Sequence, residues 1–335
     1  MEKYLRKEIK NLKPYEVIDR AYSLKLDANE GIDWMDGLNR YPNDRSDKLR
    51  KKLAEKLGKN TNEILLGNGS SELIELVMKA YLEAGEKVVS LSPSFSMYKI
   101  FTIIHKGEYL DFPLDDMEKL DTEAFIDFVK KQKPKLLILS NPNNPTGTLI
   151  PKKDIRKIIQ SVDAMVILDE AYIEFSDYPK GDDSREFENL LVVRTFSKAR
   201  GLAGIRLGYM IAARQTLEYI ERVRSPYNVS TLTQNMGLKA LEKDFISKQH
   251  IELIKKERAR MAKFLENKKL KPLASQANFL FFQAPKNIFD CLWNKNILIR
   301  KFGAELEGYY RLTIGSPQEN DIVIKTIEEE INAQI

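Results

Sequence analysis

Three features of the sequence predict an α/β fold: a large, mostly parallel sheet followed by a smaller α+β unit. Short apolar runs recur through the chain, Ile64-Leu65-Leu66, Val88-Val89-Ser90-Leu91, Leu136-Leu137-Ile138-Leu139, Ala164-Met165-Val166-Ile167-Leu168 and Leu191-Val192-Val193, as expected of strands buried on both faces. Stretches with helical spacing, such as residues 49 to 57 and 72 to 78, stand among them. Towards the C-terminus the pattern becomes strands closed by a helix near 317 to 332, which suits a small α+β domain.

Taken in order, residues 1 to 25 read as a polar arm carrying Lys13-Pro14-Tyr15-Glu16, assigned here to the small domain. Leu24-Lys25-Leu26-Asp27-Ala28-Asn29-Glu30-Gly31 alternates like a short strand and ends in turn formers. Residues 49 to 57 form a helix with Gly58 as its C-cap. Ile64-Leu65-Leu66 runs into Gly67-Asn68-Gly69-Ser70-Ser71 and then a helix. A glycine turn opening a helix leaves N–H groups that can cradle a phosphate beside Ser70 and Ser71, although an ordinary capped turn has the same appearance. The strand at 88 to 91 leads into Ser92-Pro93-Ser94-Phe95-Ser96-Met97-Tyr98. The strand at 136 to 139 ends in Ser140-Asn141-Pro142-Asn143-Asn144-Pro145-Thr146-Gly147, where two Asn-Pro steps stiffen the turn and aim an amide. The strand at 164 to 168 is capped by Asp169-Glu170-Ala171-Tyr172, and Leu191-Val192-Val193 delivers Thr195, Ser197 and Lys198 to its carboxyl end. Ligands of open α/β sheets bind at that edge. A strand at 208 to 212, helices at 217 to 223 and from 231, and a charged helix with an apolar stripe at 251 to 270 follow. The chain closes with strands at 278 to 282, 297 to 300 and 310 to 315. The large domain is set at 26 to 240 and the small one at 241 to 335.

Composition narrows the class. No segment approaches the roughly 18 apolar residues of a membrane span, and the N-terminus mixes both charge signs without the apolar core of a signal peptide. The single cysteine, Cys291, leaves no internal disulfide framework and suits a reducing cytoplasm. The net charge of +5 is spread over 54 basic and 49 acidic residues with no basic block, which argues against nucleic-acid binding. His105 and His250 stand far apart without a cysteine cluster, so no metal site is expected.

The chemistry centres on Thr195-Phe196-Ser197-Lys198 and the glycines and Arg206 that follow. A lysine partly desolvated near other cations has a lowered pKa and can attack a carbonyl. Arg206 can grip a phosphate through its planar fork, with Thr195 and Ser197 as hydroxyl donors. Alone, a Ser-Lys pair is more often an ordinary loop. An apolar strand ending in Asp-Glu also occurs in P-loop ATPases, but their Gly-x-x-x-x-Gly-Lys-Ser/Thr element is absent from this sequence.

The whole stretch Ser197-Lys198-Ala199-Arg200-Gly201-Leu202-Ala203-Gly204-Ile205-Arg206-Leu207-Gly208-Tyr209 resembles the cofactor-lysine segment of the fold-type I pyridoxal-phosphate aminotransferases of class I/II, and within them the histidinol-phosphate aminotransferase family. The resemblance implies a seven-stranded, mostly parallel sheet sandwiched by helices. It makes Lys198 the Schiff-base lysine for pyridoxal 5'-phosphate, with Arg206 on the cofactor phosphate. It implies that Asn144 and Tyr172 reach the ring oxygen, that Asp169 pairs with the pyridine nitrogen and keeps the ring electron-poor, and that Phe95 stacks on the ring. Many relatives have tyrosine at the position of Phe95; stacking needs only a π face, and core packing is a rival role for it. Arg200 stands where the family usually has phenylalanine or another uncharged residue. The "Pro-Tyr" and "Asn-Glu" segments imply that Tyr15 and Asn29 lie near the substrate. Tyr41, in Arg40-Tyr41-Pro42, would reach the neighbouring subunit's cofactor phosphate in a homodimer. Arg311 would clamp the substrate carboxylate and Arg300 the substrate phosphate.

The implied reaction is amino transfer between glutamate/2-oxoglutarate and a keto substrate, foremost histidinol phosphate/imidazole-acetol phosphate in histidine biosynthesis, in a cytoplasmic homodimer acting on small molecules. Decarboxylation of a phosphoamino acid, as in threonine-phosphate decarboxylase, and transamination of aromatic amino acids use the same apparatus and stay open. A non-catalytic binding protein on this fold has little use for the lysine, aspartate and arginine together.

Overall fold

The computed structural model describes residues 1–18, 20–178 and 184–332. Chain order gives α1 (Asp47–Leu57), β1 (Ile64–Asn68), α2 (Ser70–Tyr81), β2 (Lys87–Ser92), α3 (Met97–Ile104), β3 (Glu108–Pro113), α4 (Thr122–Gln132), β4 (Leu136–Ser140), α5 (Lys152–Ser161), β5 (Met165–Asp169), β6 (Leu190–Thr195), β7 (Leu207–Ala212), α6 (Arg214–Glu221), α7 (Thr231–Glu242) and α8 (Asp244–Asn267). β8 (Phe279–Gln283), α9 (Lys286–Asn294), β9 (Arg300–Lys301), β10 (Tyr309–Thr313) and α10 (Pro317–Asn332) complete it. Gly58 ends α1 in the left-handed region at φ 63°, its N–H donating to the carbonyls of Ala54 and Glu55, as a C-cap glycine does.

The apolar runs become the centre of a seven-stranded sheet of order β1-β7-β6-β5-β4-β2-β3. The pairs among β3, β2, β4, β5 and β6 are parallel. β7 is antiparallel to both β6 and β1, so β1 runs with the majority. Side chains alternate between the two faces of a strand, and each face carries its own core. Leu66, Val89, Leu137, Val166, Val192 and Ile211 pack beneath α1, α4 and α5, while Leu65, Val88, Ile138, Ile167, Val193 and Met210 pack beneath α2, α3 and α6. Burial on both sides is why these strands read as continuous apolar runs. The second sheet, β8-β10-β9, is antiparallel, and α8, α9 and α10 cover it through Met261, Leu292 and Ile327.

Three expectations change. The arm does not join the small domain along its first dozen residues: Tyr4, Leu5 and Ile9 are buried with α2 and α6, the N–H of Arg6 donates to the carbonyl of Ala80 at 3.1 Å, and Arg222 binds the carbonyls of Ile9 and Lys10. Residues 24 to 31 are not a strand, because their alternation finds no partner strand. The strand expected at 297 to 300 is reduced to Arg300 and Lys301. Edge strand β3 carries Glu108 and Asp111, charges that interrupt its apolar pattern. Among the described residues no helix is long and apolar enough to cross a membrane.

Candidate active site

Strand direction gathers the chemistry. The carboxyl ends of β1, β2, β4, β5 and β6 and the start of β7 share one edge, so Ser70, Phe95, Asn144, Asp169, Lys198 and Arg206 all leave the sheet on the same side. Such an edge is where open α/β sheets bind ligands.

Lys198 sits in the tight turn after β6. Thr195 fixes the turn, its hydroxyl accepting the N–H of Ser197 at 3.1 Å and donating to the carbonyl of Leu207 at 3.3 Å. Lys198 is half-buried, with Nζ 5.4 Å from the centre of the Tyr172 ring. Burial pulls its pKa below the ordinary value, helped by Arg311 and Arg206 and opposed by Asp169, so the amine is pushed towards its neutral, nucleophilic form. Arg200 lies with its guanidinium 5.0 Å from the centre of the Phe196 ring, a cation–π contact that accommodates charge at this position.

Asp169 ends β5 at 5 % exposure. One carboxylate oxygen accepts the hydroxyl of Tyr98 at 2.7 Å and the other the N–H of Ala171 at 3.1 Å. Burial raises its pKa, while Tyr98, Ala171 and the charge of Lys198 favour ionisation. A buried carboxylate with these two donors is equipped to receive one further positive or N–H group. Tyr98 carries no separate signal in the sequence, since on the buried face of α3 it looks like core; Phe95 meets it edge-on at 5.5 Å. Burial pushes the Tyr172 hydroxyl up to about 12.

An anion cradle lies beside these groups. Gly69, at φ 85°, opens α2, and a Cβ on it would stand 2.6 Å from Nη2 of Arg206. Gly208 lets β7 approach the same turn, since its Cβ would come 2.4 Å from the backbone nitrogen of Ser70. A guanidinium therefore rests against the N-terminus of a twelve-residue helix, with the hydroxyls of Ser70 and Ser71 in its first turn, and both features favour a phosphate.

The second sheet brings two more cations. Arg311 of β10 donates to the side-chain oxygen of Asn144. Arg300 of β9 is its cross-strand partner, and the two guanidiniums stand 5.9 and 6.0 Å from the centre of the same ring, Phe302. Burial and Arg300 hold the pKa of Arg311 down. Like charges opposite one another are unfavourable until an anion joins them. Arg311 also lies over Phe279 at 5.3 Å, and Phe279 meets Tyr172 edge-on at 5.1 Å, which links this sheet to the Asp169 loop.

Tyr15, Asn29 and Tyr41 are placed elsewhere. Tyr41 stacks on Tyr227 at 4.5 Å and 15°. Residues of the arm and of the Tyr41 segment line an open pocket of about 730 Å³ with Tyr15 and Tyr41 in its wall. Among the described residues that wall includes neither Lys198 nor Asp169. Asn29 is exposed, with φ 53°. Within one chain, none of the three is seen joined to the Lys198 cluster.

The chain belongs to the class I and II aminotransferases: the model of that family, described as aminotransferase class I and II, matches residues 15–327. Among individual proteins it is 38% identical to a histidinol-phosphate aminotransferase of Thermoanaerobacter sp. (strain X514), over 98% of this chain and 99% of that protein. It is 39% identical to one of Pyrococcus furiosus, over 96% of each. The histidinol-phosphate aminotransferase of Sinorhizobium meliloti in complex with pyridoxal-5'-phosphate superposes with a TM-score of 0.83 at 26% identity, over 89% of this chain and 84% of that one.

Proposed function

We propose that this protein is a pyridoxal-phosphate-dependent aminotransferase of histidine biosynthesis, exchanging the amino group of glutamate with imidazole-acetol phosphate to give histidinol phosphate and 2-oxoglutarate. One observation carries the reading: a half-buried amine of lowered pKa, a buried carboxylate and a guanidinium seated on a helix N-terminus share one sheet edge.

Those residues fit the cofactor's three chemical ends. Arg206, the first turn of α2 and the hydroxyls of Ser70, Ser71, Thr195 and Ser197 suit its phosphate, Asp169 its ring nitrogen, and Lys198 its aldehyde; Asn144 and Tyr172 suit its ring oxygen and Phe95 its face. When bound, the group supplies a carbonyl that captures amines and an electron-poor ring. Lys198, as a neutral amine, takes the proton from the substrate α-carbon at Nζ. Asp169 holds a proton on the nitrogen opposite its carboxylate. Arg311 and Arg300 bind and orient the anionic end of the substrate.

Glutamate formation from 2-oxoglutarate, with histidinol phosphate, phenylalanine or tyrosine as donor, tests the substrate. We expect kcat/KM for histidinol phosphate to lead by about 100-fold or more, because a site built around charged partners discriminates strongly against substrates lacking them. Arg300→Ala should raise the KM for histidinol phosphate about tenfold and spare phenylalanine. Equal use of all three donors, or release of carbon dioxide from a phosphoamino acid without 2-oxoglutarate, would overturn the assignment.

The reading extends to a cytoplasmic homodimer. Support comes from the segment from Tyr15 to Tyr41, which leaves Ile18, Leu26, Ile32 and Trp34 largely in solvent, Trp34 at 86 %; such a display marks a surface that a partner covers. Tyr15, Asn29 and Tyr41 would then serve the neighbouring subunit's site. Sedimentation should give twice the 38.7 kDa chain mass, and Tyr41→Phe should weaken cofactor binding about tenfold, the effect of one hydrogen bond to a charged group. A fully active monomer would count against this arrangement.

A further inference from the structure

Arg258, on α8, is 8 % exposed, and among the described residues its guanidinium reaches no carboxylate partner. Asp177, whose charge acts on it, is bound by Lys255 at 2.8 Å. Its Nη1 instead donates to two backbone carbonyls, Phe175 at 3.2 Å and Ala277 at 2.7 Å. Burying a guanidinium on neutral acceptors is unfavourable unless the acceptors need it. Both acceptors lie at a junction. Phe175 belongs to the turn that follows Asp169 and Tyr172, and Ala277 precedes β8, the strand that carries Phe279 and pairs with the strand of Arg311.

The same junction is stitched at two further points. The N–H of Gln276 donates to the carbonyl of Gly147 at 2.7 Å, and Gly147, at φ 79°, leaves no room for a Cβ, which would stand 2.3 Å from the Ser275 hydroxyl. The N–H of Asp177 donates to the Gln276 side chain at 3.2 Å. Tyr172, Phe175, Ala199, Ala277 and Phe279 pack as one apolar cluster against Ile251 and Ile254 of α8. The segment entering the second sheet is thus registered on the Asn144 loop, the Tyr172 turn and the residue after Lys198.

We propose that Arg258 is a positioning residue that sets the distance between the substrate-binding arginines of the second sheet and the reacting groups at Lys198 and Asp169, by clamping the Tyr172 turn to the start of β8. It touches neither substrate nor cofactor. Its loss leaves Arg206, Asp169 and Lys198 on their own sheet edge and displaces Arg311. Misplacement of this kind affects substrate affinity and alignment more than cofactor affinity.

This inference rests on the aminotransferase reading, and wild-type turnover tests that reading separately. In the loaded enzyme, Arg258→Met keeps the buried stem and removes both donors. We expect KM for donor and acceptor alike to rise about tenfold or more, with the dissociation constant for pyridoxal phosphate and the visible absorption maximum unchanged. Arg258→Lys, which keeps the charge and a donor nitrogen on a differently shaped head, should recover part of the KM. Unchanged KM values in both variants, even with a lowered Tm, would assign Arg258 a purely structural role and overturn the proposal. Should the methionine variant fail to fold, the lysine variant decides: raised KM with unchanged cofactor affinity supports it, and wild-type KM refutes it.

Discussion

Lys198→Ala is expected to lower kcat about 10⁴-fold or more and to abolish the visible absorption that depends on the lysine, while the protein still folds and takes up pyridoxal phosphate. A positioned general base contributes about 10²–10⁴-fold, and in the proposed mechanism Nζ is in addition the group that would condense with the aldehyde. The turn around it is held by Thr195 and by the backbone of Leu207, contacts that alanine leaves in place, and Arg206 and Asp169 persist as the proposed anchors for the cofactor. The sign of the pH effect follows from the environment. Burial, Arg311 and Arg206 lower the pKa of Lys198 from its ordinary 10.5, so the neutral amine required as base is present at lower pH than a free lysine would allow. The wild-type rate should rise with pH through that ionisation and then level. Arg311→Ala should move the rising limb to higher pH, because it removes a cation that favours the neutral form. Steady-state kinetics across a pH series with an absorbance scan reads both effects, and an alanine variant keeping a few per cent of wild-type turnover would remove Lys198 from the chemistry.

The parts of this site legible in the sequence are those that strands carry to their ends. Asp169 and Lys198 each follow an apolar run, and parallel strands place such residues on one edge whatever their order in the sheet. Order itself was not legible. The contact of Arg206 with Gly69 depends on β7 inserting antiparallel between β1 and β6, a long-range pairing with no local signal. The same holds for Arg300 and Arg311, where a strand of only two residues sets them face to face. Tyr98 was hidden because a tyrosine in an apolar helical pattern looks like core until its hydroxyl is seen on Asp169. The packing of the arm is hidden for a related reason: Tyr4, Leu5 and Ile9 are thinly spaced among charges, and only the surface between α2 and α6 shows where they go. In each case local chemistry was readable and the partner across the fold was not.

Asp169→Asn should reduce kcat about 10²–10³-fold, the range for removing one preorganised electrostatic partner, and should weaken pyridoxal phosphate binding. The amide keeps the shape but removes the charge proposed to hold a proton on the ring nitrogen. It also replaces one carboxylate oxygen, which now accepts from Tyr98 or Ala171, by an amide NH2, so that one of these hydrogen bonds is lost or has to reverse, with the Tyr98 hydroxyl accepting. Tyr98→Phe should act on the same carboxylate less severely. Burial already raises the pKa of Asp169, with the Tyr98 hydroxyl among the groups that oppose the rise, so losing that hydroxyl raises it further. In the proposed role ionised Asp169 is the binding form, so cofactor affinity should fall as pH drops through its pKa, and in Tyr98→Phe that fall should begin at higher pH, with affinity about tenfold weaker there. Fluorescence titration of the apo-proteins with pyridoxal phosphate over a pH series measures the shift directly. If the two variants bind the cofactor like wild type at every pH, the carboxylate does not face the ring, and the role assigned to this strand end fails with it.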